Sequence, residues 1–253
     1  MLILVIDTSL QGITIGLARQ EGKAFKILEI YGSSLPQEAT ARLPELCQRV
    51  LHQHNANLSG IGALVVSHGP GSFTGIKIGL SFAAGWKRAG TAIKVYGVSS
   101  FQALFKQIPT EAFTFRSLLL PATQTAGYFA LRENSGLKAD PHLGVLDLSA
   151  ATAASLVDAT GLAVKDVASA ELGPALILGA WPRLETWLSS QKIPWKGLET
   201  DTLYKAVVTG MLEEFIAKSN ELSEADLKPI YLRKSAPEEK LDNLAKAKNE
   251  TLV

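Results

Sequence analysis

The chain has 253 residues, of which 47% are hydrophobic and 19% are charged, and its formal net charge is +1. This composition is typical of a folded globular protein with one large domain or two small ones. The near-neutral charge gives no electrostatic signature of a protein that binds nucleic acid or membranes.

The chain carries no sequence feature of a secreted or membrane protein. Its single cysteine, Cys47, excludes an internal disulfide and fits a reducing compartment. The first six residues are apolar, but they lack a basic segment and end at Asp7, so they do not form a signal peptide. No apolar run reaches the length of a membrane span. We therefore expect a cytoplasmic protein.

The first half of the chain predicts an alternating arrangement of strands and helices. Apolar and alternating runs predict strands at 2–6, 12–18, 25–30, 61–66 and 93–98. Helical spacing predicts helices at 37–54 and 74–88. Pro44 lies inside the first of these, so that helix either bends there or begins its regular part there.

The second half repeats this order of elements more loosely. Strands are predicted at 117–120, 128–132, 143–148 and 175–178, and helices at 150–158, 183–189 and 203–216. The repeated order predicts two α/β lobes, residues 1–108 and 109–233, followed by a charged tail at 234–253. The tail has few large apolar residues, so it is either disordered or a helix that orders on a partner.

A glycine-rich junction between a strand and a helix is the main candidate site. Residues 64–81 read LVVSHGPGSFTGIKIGLS. Gly69, Gly71 and Ser72 could hold a phosphate at the helix N-terminus, or they could form a tight corner for packing. The spacing matches neither the P-loop, which needs Lys where Ile76 stands, nor the dinucleotide fingerprint, which needs Gly at Thr74.

Asp7, Thr8 and Ser9 end the first strand and form a second candidate loop. A carboxylate and hydroxyls at this place could meet Mg²⁺ and phosphate, but the same residue types also favour simple turns. No histidine pair has chelating spacing, since His52 and His54 are two residues apart on a helix. The sequence therefore predicts neither a metal site nor a catalytic residue.

The helix at 74–88 carries small residues at every fourth position, namely Gly75, Gly79 and Ala83. A glycine inside a helix costs about 1 kcal/mol relative to alanine, so this strip needs a packing reason. Its neighbours are apolar nearly all round, which favours a second protein as the packing partner over the sheet alone. The predicted partner surface comprises Leu43, Leu46, Val50, Gly75, Ile76, Gly79, Leu80 and Ala83.

Three segments of the chain resemble the bacterial TsaB (YeaZ) family, which serves tRNA threonylcarbamoyladenosine biosynthesis. They read IDTS at 6–9, GPGSFTGIKIG at 69–79 and YGVSS at 96–100, and Tyr231-Leu232-Arg233 resembles a C-terminal feature of the family. The resemblance implies an actin-like and hexokinase-like (ASKHA) α/β fold with two lobes, each built on a mixed sheet of βββαβα type.

The resemblance also implies a function for the chain. It would be a non-catalytic subunit that supports the paralogue TsaD in forming N6-threonylcarbamoyladenosine at position 37 of tRNAs that read codons beginning with A. The ATPase TsaE would join them, and a homodimer would form when TsaD is absent. Contact with tRNA would be indirect. The chain itself would require no cofactor, with ATP or ADP held, if anywhere, at the partner interface.

The chain departs from the family pattern at the start of the second lobe. Family members usually read DARxxEVY there, whereas this chain reads PATQTAGY at 121–128. The departure places nucleotide binding in doubt, and Asp7, Thr8, Ser9, Gly69, Gly71 and Ser72 would be inherited phosphate loops. The alternative function is an active phosphotransferase or ATPase that uses Asp7 and the glycine-rich junction.

Overall fold

The computed structural model describes residues 1–10, 12–89, 92–108, 115–131, 141–149, 154–157, 163–218 and 228–231. The first lobe follows the predicted order of elements. Its strands and helices are β1 (Leu2–Asp7), β2 (Ile13–Glu21), β3 (Ala24–Ser33), α1 (Pro36–Gln53), β4 (Ile61–Ser67), α2 (Phe73–Arg88), β5 (Lys94–Val98) and α3 (Ser100–Gln107).

The sheet of the first lobe brings the two candidate loops to one edge. Its strand order is β3-β2-β1-β4-β5, with β1, β2 and β3 antiparallel and β4 and β5 parallel to β1. Ile6 of β1 pairs with Val66 of β4, so Asp7 and Ser67 end adjacent strands. Because parallel strands end on the same side of a sheet, the loops after β1 and β4 meet.

The second lobe contains a sheet of seven strands. Its elements are β6 (Ser117–Pro121), β7 (Ala126–Leu131), β8 (His142–Asp147), β9 (Ala154–Val157), β10 (Ala163–Asp166), β11 (Ala175–Ile177), α4 (Pro182–Ser190), β12 (Trp195–Gly197) and α5 (Thr200–Lys218). The strand order is β10-β9-β8-β7-β6-β11-β12.

One predicted helix of the second lobe is wrong. Residues 154–157, inside the predicted helix 150–158, form strand β9, which pairs antiparallel with β8 on one side and with β10 on the other. Pairing on both sides satisfies the backbone of this short segment, and this tertiary context outweighs the helix preference of its alanines. Residues 150–153 and 158 lie outside the described residues.

Three buried clusters form the layers of the fold. The central cluster joins α3 and α5 to the sheets of both lobes. A second cluster lies under α1 and α2, and a third lies under α4. Helix α5 belongs to the predicted second lobe by its place in the chain but packs on the sheet of the first, with the Tyr204 ring against Gly32 and Val208 against Gly16.

Helix α1 continues through Pro44 from Pro36 to Gln53, so the helix does not begin at this proline. No helix in the described part of the chain is long and apolar enough to cross a membrane. The predicted charged tail, residues 234–253, lies outside the described residues. The division into lobes at residue 108 stays a prediction.

Candidate functional site

Four buried polar side chains meet where β1 and β4 end, and we call Asp7, Ser9, Ser67 and Ser100 the polar cluster. The Asp7 carboxylate is 2% exposed. Its Oδ1 accepts hydrogen bonds from the Ser9 hydroxyl at 2.5 Å and the Ser100 hydroxyl at 2.8 Å. The backbone N–H groups of Ser9 and Leu10 donate to the same carboxylate at 3.1 and 3.3 Å.

The three serine hydroxyls of the polar cluster also contact one another, at 2.8 to 2.9 Å. The Ser9 and Ser100 hydroxyls donate their protons to Asp7. The Ser67 hydroxyl can donate its proton to either of them. Ser67 in turn accepts from the Gly69 N–H at 3.3 Å. Every hydroxyl proton therefore has an acceptor inside the cluster, which is the usual state of buried polar groups.

The loops after β1 and β4 lie in direct contact with each other. We call residues 69–72 the glycine turn. The Ser72 N–H donates to the Ser9 carbonyl at 2.7 Å, and a Cβ built on Gly71 would lie 2.1 Å from that carbonyl oxygen. The Ser72 hydroxyl caps helix α2 by accepting from the Gly75 N–H at 3.2 Å. The two loops are therefore held together by a backbone hydrogen bond and by close packing at Gly71.

The predicted strip of small residues on α2 faces the interior. A Cβ built on Gly75 would lie 1.7 Å from the Thr8 carbonyl oxygen, and one built on Gly79 would lie 2.8 Å from Thr8 Oγ1. Thr8 Oγ1 also donates to the Gly75 carbonyl at 2.6 Å. The glycines therefore serve close packing of α2 against the end of β1, and their expected exposure to a partner is corrected.

The other residues predicted for the partner surface are also buried within the lobe. None is more than 6% exposed, and all lie in the cluster beneath α1 and α2. They are Leu43, Leu46, Val50, Ile76, Leu80 and Ala83. A helix with an apolar stripe buries that stripe against the sheet of its own domain. These residues therefore hold α1 and α2 on the sheet of the first lobe.

The exposed side of α2 carries residues that the sequence analysis did not single out. Phe73, Lys77, Ser81 and Gly85 recur at every fourth position and are exposed, and we call them the outer face of α2. A Cβ built on Gly85 would meet nothing within 4 Å. The half-buried rings of Phe82 and Trp86 lie beside this face, with centroids 4.9 Å apart. The four-residue spacing of the exposed set was the signal available in the sequence.

Residues 228–231 return to the start of α2, and we call them the C-terminal strap. The Ile230 N–H donates to the His68 carbonyl at 2.7 Å. The Ile230 carbonyl oxygen lies 2.8 Å from a Cβ built on Gly69, whose φ is +103°. The Tyr231 ring stacks on Phe73 with centroids 4.9 Å apart. The strap therefore covers the glycine turn from the outside.

The described surface carries cavities away from the polar cluster. One of about 810 Å³ lies along α1 between Glu45 and Ser59. Two others, of about 400 and 560 Å³, adjoin the β6–β7 turn and the start of α4 and share Pro182 and Arg183. That turn lies within segment 121–127, where the sequence departs from the family pattern. The Trp181 Nε1–H donates to the Gln124 carbonyl of this turn at 2.9 Å.

Glu45 and Cys47, both on α1, have pKa values that depart from the ordinary values of these groups. The hydrogen bond from Arg42 lowers the pKa of Glu45 on the exposed side of α1. Burial raises the pKa of the Cys47 thiol to about 12, which makes the thiol unreactive at neutral pH. Among the described residues, no group of three or more His, Cys, Asp or Glu side chains could hold a metal ion.

The family model for TsaD, tRNA N6-adenosine threonylcarbamoyltransferase, matches residues 26–249 of this chain. The TsaB protein of Escherichia coli (strain K12) is 33% identical over 104 residues, which cover 41% of this chain and 42% of that protein. An uncharacterized protein of Mycobacterium tuberculosis (strain ATCC 25618 / H37Rv) is 32% identical over 105 residues, which cover 40% of this chain and 47% of that one. The matches thus span less than half of the length of these relatives.

A solved structure of YeaZ from Pseudomonas aeruginosa has the same fold. It covers 91% of this chain and 99% of its own length, with a TM-score of 0.57 and 18% identity. A second structure from that organism, titled as similar to peptidase YEAZ, gives a TM-score of 0.55. The sheet order of the first lobe and the second mixed sheet agree with the expected ASKHA-like α/β fold. The chain belongs to the TsaD-type family matched by the model and is a TsaB (YeaZ)-type member of it.

Proposed function

We propose that this chain is a non-catalytic subunit that supports a TsaD-type transferase in forming N6-threonylcarbamoyladenosine in tRNA. The observation that carries this proposal is the closure of the polar cluster. Asp7, the carboxylate that would serve phosphate chemistry, is buried and bound to internal donors. A group that acts on a substrate must reach it, whereas this carboxylate holds two loops together.

The outer face of α2 is the surface that we assign to the partner. Gly85 has open space around it, so its helix-propensity cost of about 1 kcal/mol is not offset by packing within the chain. Ser81 lies one turn before it and is exposed too. Small exposed residues beside the Phe82 and Trp86 rings suit close approach of another helix. TsaD is the proposed partner, and a second copy of this chain would use the same face when TsaD is absent.

The other members of the proposed complex follow from the same family. TsaE would join through the assembled pair, and tRNA contact would come mainly from TsaD, because the net charge of this chain is only +1. Any ATP or ADP of the complex would bind where the chains meet. The chain requires no cofactor of its own in this proposal.

The proposal is tested by reconstitution with the TsaD-type subunit of the same organism. We expect co-elution in size-exclusion chromatography with light scattering, and tRNA modification that depends on this chain. Gly85→Arg should abolish co-elution. Gly197→Arg is the matched control, because Gly197 also has open space around it but lies on β12 of the second lobe.

Two results would overturn the proposal. Modification at an unchanged rate without this chain would remove the supporting role. Mg²⁺-dependent ATP hydrolysis by the isolated chain, abolished by Asp7→Asn, would instead establish the phosphotransferase or ATPase alternative.

A further inference from the structure

The C-terminal strap lies on the proposed docking surface as well as on the glycine turn. Tyr231 stacks on Phe73, the first residue of α2, and Phe73 is 36% exposed. The Lys77 ammonium lies 4.0 Å from the centroid of the same Phe73 ring. At the N-terminal end of α2, the outer face is therefore formed by two distant parts of the sequence, residues 73–77 and residue 231.

The strap is held on both sides by the folded chain. Ile230 packs against the central cluster, whereas Tyr231 packs against the cluster under α1 and α2. The hydrogen bond from Ile230 to the His68 carbonyl fixes the backbone between these two contacts. The position of the Tyr231 ring is therefore set by the core and not by Phe73 alone.

Phe73 begins helix α2 and is 36% exposed. Within the described residues, its ring contacts are those with Tyr231 and Lys77. A ring at a helix start with one face uncovered would sample several rotamers, and a partner would have to order it at an entropic cost. The stack with Tyr231 holds the ring in one orientation before binding.

We propose that Tyr231 is a positioning residue for partner binding, which acts by holding Phe73 in the orientation that a TsaD-type subunit contacts. This inference rests on the proposed function and adds the strap to the docking surface. The strap is thereby a second determinant of the partner contact, remote in sequence from α2.

The test measures the dissociation constant of the TsaD-type subunit for four forms of the full chain. These are the wild type, Tyr231→Ala, Phe73→Ala and the double variant. Each single variant should weaken binding by about twofold to tenfold, the worth of one aromatic pair. The double variant should lose little more than either single one, because the two rings act as a unit.

Tyr231→Phe separates positioning from a general structural role. It keeps the aromatic ring and its stack on Phe73, so its affinity should equal that of the wild type. Tyr231→Leu keeps an apolar side chain but loses the stack, so its affinity should be lower. Melting temperatures are measured in parallel, and binding is measured well below all of them. If Tyr231→Ala fails to fold, the exposed Phe73→Ala and the conservative Tyr231→Phe still test the stack.

The outcomes distinguish this inference from the proposed function. No binding by the wild-type chain overturns both. Binding that Gly85→Arg abolishes but that Tyr231→Ala and Phe73→Ala leave unchanged overturns the role of the strap alone. Loss of affinity that Tyr231→Phe does not restore also overturns it, because the ring stack would then not carry the effect.

Discussion

On the inner face of helix α2, Gly75 and Gly79 lie against Thr8, whereas on the outer face Gly85 lies beside open space. The inner glycines let the helix approach the end of β1 closely enough for Thr8 to donate to the Gly75 carbonyl. Among the described residues, the outer glycine has no such contact. Glycine therefore allows close packing on the inner face of α2, whereas on the outer face it makes no close contact with the described residues.

The inner face can be tested most severely at Gly75. Gly75→Ala should destabilise the fold by at least about 3 kcal/mol, because its Cβ would overlap the backbone oxygen of Thr8, which cannot rotate away. Gly79→Ala should cost less, about 1 to 2 kcal/mol, since it meets a side-chain hydroxyl. Urea unfolding measures both. A Gly75→Ala chain as stable as the wild type would contradict the inward packing.

The polar cluster behind the inner face gives the next largest effect. Asp7→Ala would leave the Ser9 and Ser100 hydroxyls without their acceptor, which should cost about 2 to 4 kcal/mol. Asp7→Asn keeps a carbonyl oxygen at the same place and should cost less. Urea unfolding of both variants measures the difference. Equal stability of Asp7→Ala and the wild type would mean that the cluster is not structural.

The buried Cys47 thiol on α1 should make the stability of the fold depend on pH. Burial raises the pKa of the Cys47 thiol to about 12, from its ordinary value of 9.0. Above pH 9 the unfolded chain loses the thiol proton while the folded chain keeps it. The free energy of unfolding should therefore fall by about 1.4 kcal/mol per pH unit from this group until pH 12.

The Cys47→Ala variant is the control for that pH dependence, because it lacks the thiol. Its stability should fall less steeply between pH 9 and pH 10.5 than that of the wild type, as measured by urea unfolding at each pH. Identical slopes for the two chains would show that the thiol does not contribute.

The smallest effect is expected on the outer face and has the opposite sign. Gly85→Ala should stabilise the free chain by about 0.5 to 1 kcal/mol, because alanine favours a helix and its methyl group meets nothing there. Thermal unfolding should show a melting temperature a few degrees higher, roughly 2–4 °C per kcal/mol for a chain of this size. A lower melting temperature would indicate a contact of Gly85 within the chain.

Much of the first lobe could be predicted from the sequence. Its order of strands and helices follows from apolar runs such as 61–66 and from the helical spacing at 74–88, and the structure confirms both elements. The segment 154–157 could not be predicted in this way, because pairing with β8 and β10 decides its conformation. Such pairing depends on residues that are distant along the chain.

The candidate site divides in the same manner. The sequence placed Asp7 and the glycine turn at the ends of two strands, and the sheet order shows that these strands are neighbours. It left open whether those loops form a phosphate site or a packing corner. Their direct contact, with Ser72 donating to the Ser9 carbonyl, favours the corner.

The sequence by itself determined most elements of the first lobe, the family resemblance and the presence of small residues on α2, because these depend on local pattern and on motif spacing. Only the tertiary structure decided which small residues are covered. Helical periodicity defines faces but not what lies against them, and Thr8 covers Gly75 only because β1 and β4 pair in parallel. The stack of Tyr231 on Phe73, 158 residues apart in the chain, likewise arises from packing alone.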